Sequence, residues 1–352
     1  MIFLKRICLT AFLPFCTALS LPNPPQRLKL DEKHADLEPA FQPLSGKPPH
    51  PLVLWHGLGD SAHSEGMDEF AELIKEVHPG IFVYSISLSD DQNDDKKAGW
   101  FGEVNAQLEI VAADLSEIPQ LRNGFDAIGF SQGGQFLRAY VERFNDPPVR
   151  SLLTFGSQHM GVSGLPGCKT GDFWCWLARN AALRGVYTAY AQTHIIQAQY
   201  FRDPRTAHDL ESYLAANTFL ADINAEVSDI GDVPMYKKNL ASLDALVLVL
   251  FSEDKTVVPK ESGWFGSYKA VNLSDPDSAK ADETIVPMRQ QPIYQDDRIG
   301  LRALDVSGRI HFATCEGPHM RISDSCWKPL VLRFCGNRRG DMDSAQGLVV
   351  QG

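Results

Sequence analysis

The order of apolar runs predicts an α/β protein: a mostly parallel central sheet with helices on both faces and a largely helical cap inserted above one sheet edge. Three observations carry that expectation. Apolar runs of strand length alternate with stretches of helical spacing, the order that makes a parallel sheet covered on both faces. One strand-to-helix junction reads Gly129-Phe130-Ser131-Gln132-Gly133. Between about 157 and 243 the strand rhythm stops, and helix-like and loop-like sequence intervenes before it resumes.

Along the chain, residues 1–20 read as a secretory signal peptide. Lys5 and Arg6 form a positive start, Ile7 to Phe15 an apolar middle, and Ala18-Leu19-Ser20 a small-residue cleavage site. A bilayer core needs about 20 apolar residues, and no stretch reaches that length, so no stable membrane insertion is expected. The proline-rich segment 21–48 reads as an extended lead-in. The folded domain is expected over 49–335.

Within it, Leu52-Val53-Leu54-Trp55 is a buried strand opening into the glycine turn His56-Gly57-Leu58-Gly59-Asp60. Met67, Phe70, Leu73, Ile74 and Val77 have the spacing of an amphipathic helix, which Pro79-Gly80 stops. Ile81 to Ile86 is a second strand, and Val104 to Leu115 a second helix. Phe125 to Phe130 is a third strand, followed by a helix from about Gly134 to Phe144. Ser151 to Phe155, Ala245 to Phe251 and Arg309 to Thr314 complete the strands. Trp327 to Phe334 closes the fold as a helix, and 336–352 reads as a polar tail.

Composition narrows the function classes. The chain has 352 residues, 44% of them hydrophobic, with 33 basic against 44 acidic side chains and a net charge of −11. That is a globular composition, and its acidity repels phosphate backbones, so no nucleic acid partner is expected. There is no C-x-x-C pair and no clustered Cys/His set, so no structural zinc site is expected; no other metal and no cofactor is expected either. Beyond the leader the cysteines are Cys168, Cys175, Cys315, Cys326 and Cys335. Cys168 and Cys175 lie close together in a loop-like stretch and are the easiest pair to bridge, whereas the last three allow one bridge whose members sequence leaves open. Asn272-Leu273-Ser274 is a glycosylation acceptor.

The strand-turn-helix context of Gly129-x-Ser131-x-Gly133 is that of a nucleophile elbow, in which a strained serine projects from the sheet edge and flanking glycines admit neighbouring backbone. A serine hydroxyl needs an imidazole base, itself oriented by a carboxylate. In α/β-hydrolases these follow in the order serine, acid, histidine. Of His159, His194, His208, His311 and His319, only His319 lies in a loop just after the last strand, at the edge expected to hold Ser131. Asp254, in the loop after Leu246 to Phe251, is the expected acid, with Glu253 one register position away as the fallback. The oxyanion donors would be the backbone N–H groups of Leu58 and Gln132.

Two other motifs compete. Gly57-x-Gly59-x-x-Ala62 meets the loosest dinucleotide fingerprint but lacks the acid about 20 residues on, and Gly167-Cys168-Lys169-Thr170 has cysteine where a phosphate loop needs glycine. A binding module with an inactive triad is the remaining class.

With these residues in place, the sequence resembles the palmitoyl-protein thioesterases, lysosomal enzymes that remove fatty acyl groups from cysteine. The resemblance rests on Leu54-Trp55-His56-Gly57-Leu58-Gly59-Asp60-Ser61, Gly129 through Ala139, and Gly156-Ser157-Gln158-His159-Met160-Gly161-Val162. It continues in Phe219 through Asn224, Tyr236-Lys237-Lys238-Asn239-Leu240, Trp264-Phe265-Gly266 and Asp297 through Leu301, and covers about residues 50 to 335. It implies an α/β-hydrolase acting on fatty acyl thioesters of proteins or peptides, in a lysosome, vacuole or extracellular space. It also implies Ser131, Asp254 and His319 as the triad, Leu58 and Gln132 as oxyanion donors, and a disulfide between Cys168 and Cys175. A secreted lipase or carboxylesterase with the same triad is the alternative. The sequence departs from the family at Cys315 and Cys326, where a bridge would hold the His319 loop, around 267–292, which looks longer, and in keeping only Asn272 as a glycan acceptor.

Overall fold

A computed structural model describes residues 48–164, 185–227, 233–275 and 283–336. These residues all belong to one unit, Ala40–Gly352. The expected signal peptide, nearly all of the lead-in and of the polar tail, and the Cys168–Cys175 pair lie outside the described residues.

Among the described residues, eight strands form: β1 (Leu52–Trp55), β2 (Val83–Ser85), β3 (Phe125–Phe130), β4 (Val149–Phe155), β5 (Ala245–Phe251), β6 (Ser267–Tyr268), β7 (Ile285–Val286) and β8 (Ile310–Cys315). Six make the central sheet in the order β2-β1-β3-β4-β5-β8. All five pairings are parallel. This is the α/β-hydrolase architecture the sequence predicts. Successive strand residues point to opposite faces, and the two faces bury separate layers. Val53, Trp55, Ala127, Leu152, Leu246 and Leu248 pack on one side. Leu52, Leu54, Ile128, Leu153, Val247 and Val249 pack on the other. Burial on both faces explains why these strands read as unbroken apolar runs instead of alternating ones.

Helix α1 (Glu65–Val77) starts at Ser64, whose side chain accepts the Met67 N–H, and buries Met67, Phe70 and Ile74. It shares its layer with the final helix, Asp324–Phe334, through Trp327, Leu330 and Phe334. The opposite layer holds α3 (Val104–Glu117) and α4 (Gln132–Arg143). The short helix α2 (Gln92–Ala98) precedes α3 and begins at Asp91, which caps the N–H groups of Asn93 and Asp94. Sequence periodicity gave no sign of it, because a run of charged residues reads as a solvated loop.

Between β4 and β5 the described residues add no strand to the sheet and form helices at Ala189–His194, Ala207–Ala216, Leu220–Ile223 and Val233–Leu240. The segment around 267–292, expected only to be long, contains the antiparallel β6–β7 pair. Strands of two residues leave no periodicity to read. The sheet places β1 beside both β2 and β3, so the strand order reverses there, and the crevice outside the carboxyl ends of β1 and β3 is where open α/β sheets bind ligands.

Candidate active site

Ser131 occupies the turn between β3 and α4 with φ 52° and ψ −121°, a conformation that non-glycine residues rarely adopt and that persists only when surrounding packing holds it. The packing is visible at the glycines. A Cβ on Gly129 would fall 2.2 Å from the Gly134 Cα, and one on Gly133 would fall 2.4 Å from the Trp55 carbonyl oxygen. Glycine at both positions therefore lets α4 start directly against β3 and β1. The Ser131 N–H donates to the Phe155 carbonyl of β4 at 2.8 Å, which fixes the turn to the sheet.

β5 and β8 pair in register, Phe251 opposite Cys315, so the loops that follow leave the sheet at one level. Asp254 lies in the first loop and His319 in the second. One Asp254 oxygen, Oδ1, accepts the N–H groups of Thr256 at 2.8 Å and Val257 at 3.0 Å. The other, Oδ2, is 2.6 Å from His319 Nδ1, and His319 Nε2 is 3.1 Å from Ser131 Oγ. An ionised carboxylate only accepts, so Nδ1 carries the proton and the Nε2 lone pair faces the serine hydroxyl. The Asp254 side chain is 2% exposed and that of His319 14%. Glu253, the fallback, is exposed. The other histidines are elsewhere: His159 is buried with Nε2 3.0 Å from Thr154 Oγ1, His194 stacks on Tyr190, His208 is exposed, and His311 packs against Phe334. Burial holds the His159 imidazole well below its ordinary pKa.

The β1 loop brings Leu58 to the same edge. A Cβ on Gly57 would lie 3.3 Å from both the Phe130 carbonyl oxygen and Ser131 Cβ, so the Gly57–Leu58 backbone abuts the serine turn. Gln132 is the first residue of α4, where the helix itself offers no acceptor for the N–H. Its side-chain amide donates to the Gly99 carbonyl at 3.2 Å.

The structure adds two side chains that sequence reading missed. His56 Nδ1 is 2.9 Å from the Gly57 carbonyl oxygen, which belongs to the same peptide unit as the Leu58 N–H. Its Nε2 lies 3.4 Å from Asp95 Oδ2. Asp95, on α2 and 1% exposed, also accepts the N–H groups of Ala62 and Leu88, each at 2.8 Å. Burial pushes this carboxyl up, but His56 and the two amides outweigh it and hold Asp95 below its usual range. Both α2 and the β1 loop are thereby tied to one buried carboxylate. Nothing in the run Asp90 to Lys97 distinguishes Asp95 from its solvated neighbours.

Asn272 is exposed in a turn, its Oδ1 accepting the Ser274 N–H at 3.0 Å. Cys315 and Cys326 form a disulfide, and Cys335 is a buried free thiol. No group of three or more His, Cys, Asp or Glu that could hold a metal occurs among the described residues.

Comparison with known proteins matches residues 51–319 to the family described as "Palmitoyl protein thioesterase". "Palmitoyl-protein thioesterase 1" of Caenorhabditis elegans is 40% identical over 276 residues, covering 78% of this chain and 88% of the relative. "Lysosomal thioesterase PPT2" of Homo sapiens is 31% identical, covering 81% of this chain and 86% of the relative. Among solved structures, a monoacylglycerol lipase of Paleococcus ferrophilus aligns at 13% identity over 81% of this chain and 93% of its own, with a TM-score of 0.40.

Proposed function

The chain belongs to the palmitoyl protein thioesterase family, and from that membership and the geometry of the site we propose that it hydrolyses long-chain fatty acyl thioesters of protein or peptide cysteines through a covalent acyl-enzyme. The observation that carries the proposal is the hydrogen-bonded chain from Asp254 through His319 to Ser131.

In this reading His319 Nε2 takes the Ser131 proton as Oγ attacks the thioester carbon. Asp254 holds the imidazole in the required tautomer and stabilises the imidazolium. The N–H groups of Leu58 and Gln132 receive the oxyanion, a preorganised arrangement that costs no reorganisation as charge develops. Collapse expels the thiolate, a far better leaving group than an alkoxide because a thiol ionises near pH 8.5, and His319 returns a proton to it. Water then attacks the acyl-serine by the same steps, releasing the fatty acid and restoring Ser131. Burying the acyl chain at about 0.8 kcal/mol per CH₂ favours long chains over short ones. The helical segment between β4 and β5 supplies the cap, and its aromatic stretch, Phe173 through Leu183, lies outside the described residues.

The relatives' names include lysosomal enzymes, and no helix among the described residues is long and apolar enough to cross a membrane. The relatives' names and the N-terminal signal pattern support the secretory pathway, ending in a lysosome, vacuole or extracellular space. The exposed Asn272 fits a glycan acceptor there. The substrates are S-acylated proteins or peptides, and no cofactor takes part.

The test compares palmitoyl thioester and palmitoyl oxygen ester on the purified protein. The thioester is expected to turn over faster, and Ser131→Ala to remove activity by on the order of 10⁴ to 10⁶. A preference for the oxygen ester would establish a lipase or carboxylesterase instead. Full activity in Ser131→Ala would overturn the mechanism.

A further inference from the structure

His319 sits on a loop whose shape the chain does not adopt by itself. Gly317 has φ +110°, and Met320, two residues past Pro318, has φ 63°. A non-glycine residue in the left-handed region is held there by its surroundings. Apart from its two polar partners, the imidazole packs edge-on against Phe251, ring centroids 5.9 Å apart, and lies against Gly156, where a Cβ would fall 3.0 Å from its Cε1. Where Nε2 points depends on the course of this backbone as well as on those contacts.

The Arg321 N–H donates to the Pro318 carbonyl at 3.0 Å, and Met320 and Ile322 pack on the core; two further devices tie the loop to its neighbours. Ser252, at the start of the acid loop, ties the two loops together: its N–H donates to the Cys315 carbonyl and the Gly317 N–H donates to its Oγ, both at 2.9 Å. The neighbouring Glu253 N–H donates to the Gly317 carbonyl at 2.9 Å. Ser252 Oγ in turn donates to Glu316 Oε2 at 2.9 Å. These bonds reach as far as Gly317 and stop two residues short of His319. Beyond it, the loop is closed covalently. The Cys315–Cys326 disulfide joins the last residue of β8 to the first turn of the final helix, with Cα atoms 5.3 Å apart. His319 lies inside this ring, whose two anchors are a central-sheet strand and a helix packed on that sheet through Trp327.

Resting on the reading of His319 as the base, we propose that the Cys315–Cys326 bridge is a positioning element for the reaction, so that the redox state of this one bond sets turnover. Closed, it holds both ends of the histidine loop against the sheet, and Ser252 aligns the near half with the acid loop. A reductant supplying two electrons and two protons opens it to two thiols. The far half of the loop, Met320 included, then loses its covalent anchor while the acid loop and the serine turn stay in place. The exposure fits such a role: Cys315 is buried, whereas Cys326 is only half-buried, which leaves one sulfur for an attacking nucleophile.

The experiment measures kcat and KM on an activated oxygen ester, which a phosphine reductant does not consume, at a temperature well below the unfolding midpoint of every sample. Four samples are compared: the oxidised protein, the protein treated with the water-soluble phosphine, Cys315→Ala/Cys326→Ala, and Ser252→Ala. Reduction and the double alanine variant are each expected to lower kcat about ten- to a hundredfold, with KM within about twofold, because a misaligned base slows chemistry more than binding. The double variant should no longer respond to phosphine. Ser252→Ala should lower kcat in the same manner, and Ser252→Thr, which keeps the hydroxyl, should restore it. An unchanged kcat in the double variant despite a lower midpoint would make the bridge a purely structural staple. A phosphine effect persisting in that variant would place the sensitivity at another bond. Ser131→Ala, run oxidised, reports separately on the hydrolase reading: activity there overturns the mechanism, whereas its loss with no bridge effect overturns only the positioning role.

Discussion

Which of two adjacent carboxylates serves His319 is decided by one register position after β5. Asp254 turns inward, accepting two backbone amides on one oxygen and facing the imidazole with the other, while Glu253 is exposed. Asp254→Asn is expected to lower kcat by about 10⁴, because the amide would donate toward Nδ1 and impose the wrong tautomer. Glu253→Gln should leave kcat within about twofold; a large loss there would reverse the assignment of the acid. That Ser131 and His319 meet was legible because their placement follows from context, a strand-turn-helix with glycines and a loop after the last strand. Asp95 was not, since it is engaged by His56 and Ala62, which are remote in sequence, as well as by the nearer Leu88. Asp95→Ala leaves both amides without their acceptor, at a cost of about 1–3 kcal/mol each when buried, and frees the peptide that carries the Leu58 N–H. The expected result is a lower urea midpoint together with a lower kcat. A kcat unchanged in the folded variant would limit Asp95 to a structural role.

At the level of elements, α4 links the candidate site to the cap-like segment. It is buried along nearly its whole length, and Arg138 with Glu142 forms a fully buried pair at 3.0 Å, one helical turn apart. Arg138 also donates to the carbonyls of Ile223 and His159 and to Asn224 Oδ1. It thereby pins the segment after β4 and the turn near Leu220–Ile223 to the helix that begins at Ser131. Removing one member of a buried ion pair typically costs 3–5 kcal/mol, because the other charge is left uncompensated. Arg138→Met should therefore destabilise by about that amount in denaturant unfolding, and Arg138→Met/Glu142→Leu by less. A double variant no more stable than the single one would show that the carbonyls left without a donor, and not the stranded carboxylate, dominate the cost.

Over the whole molecule, the far edge of the sheet is as constrained as the active edge. Asp126, near the start of β3, is fully buried and accepts the N–H groups of Gly336 at 2.8 Å and Ser151 at 3.2 Å. Burial drives its carboxyl from 3.8 up to about 7. Its pKa is thus raised on folding, so between about pH 4 and 7 the folded chain binds a proton that the unfolded chain has lost. This contribution favours folding as the pH falls and is lost as the pH rises through about 7. His311 acts in the opposite sense: burial lowers it from 6.5 to about 4, so below about pH 6.5 the unfolded chain gains a proton that the folded chain does not take. Asp126→Asn is expected to stabilise the protein at pH 7.5 more than at pH 4.5, by unfolding free energy measured at both. Equal effects at the two values would mean that Asp126 ionises in the native state as it does in the unfolded one.

Sequence alone determined what depends on neighbours along the chain. The apolar runs specified all six strands of the central sheet, most plainly β1 and β5, which are buried along their whole length and carry no polar residue. The serine turn was equally local, since its glycines lie within a few residues of Ser131. Tertiary structure alone decided what depends on residues brought from far away. It selected Asp254 over Glu253 through strand register. It buried Asp95 within a run of solvated charges, chose Cys315 and Cys326 from three open candidates, and surrounded Arg138 with carbonyls more than eighty residues distant in one case. Burial and pairing are properties of the folded arrangement, and a side chain's own sequence neighbourhood carries no record of them.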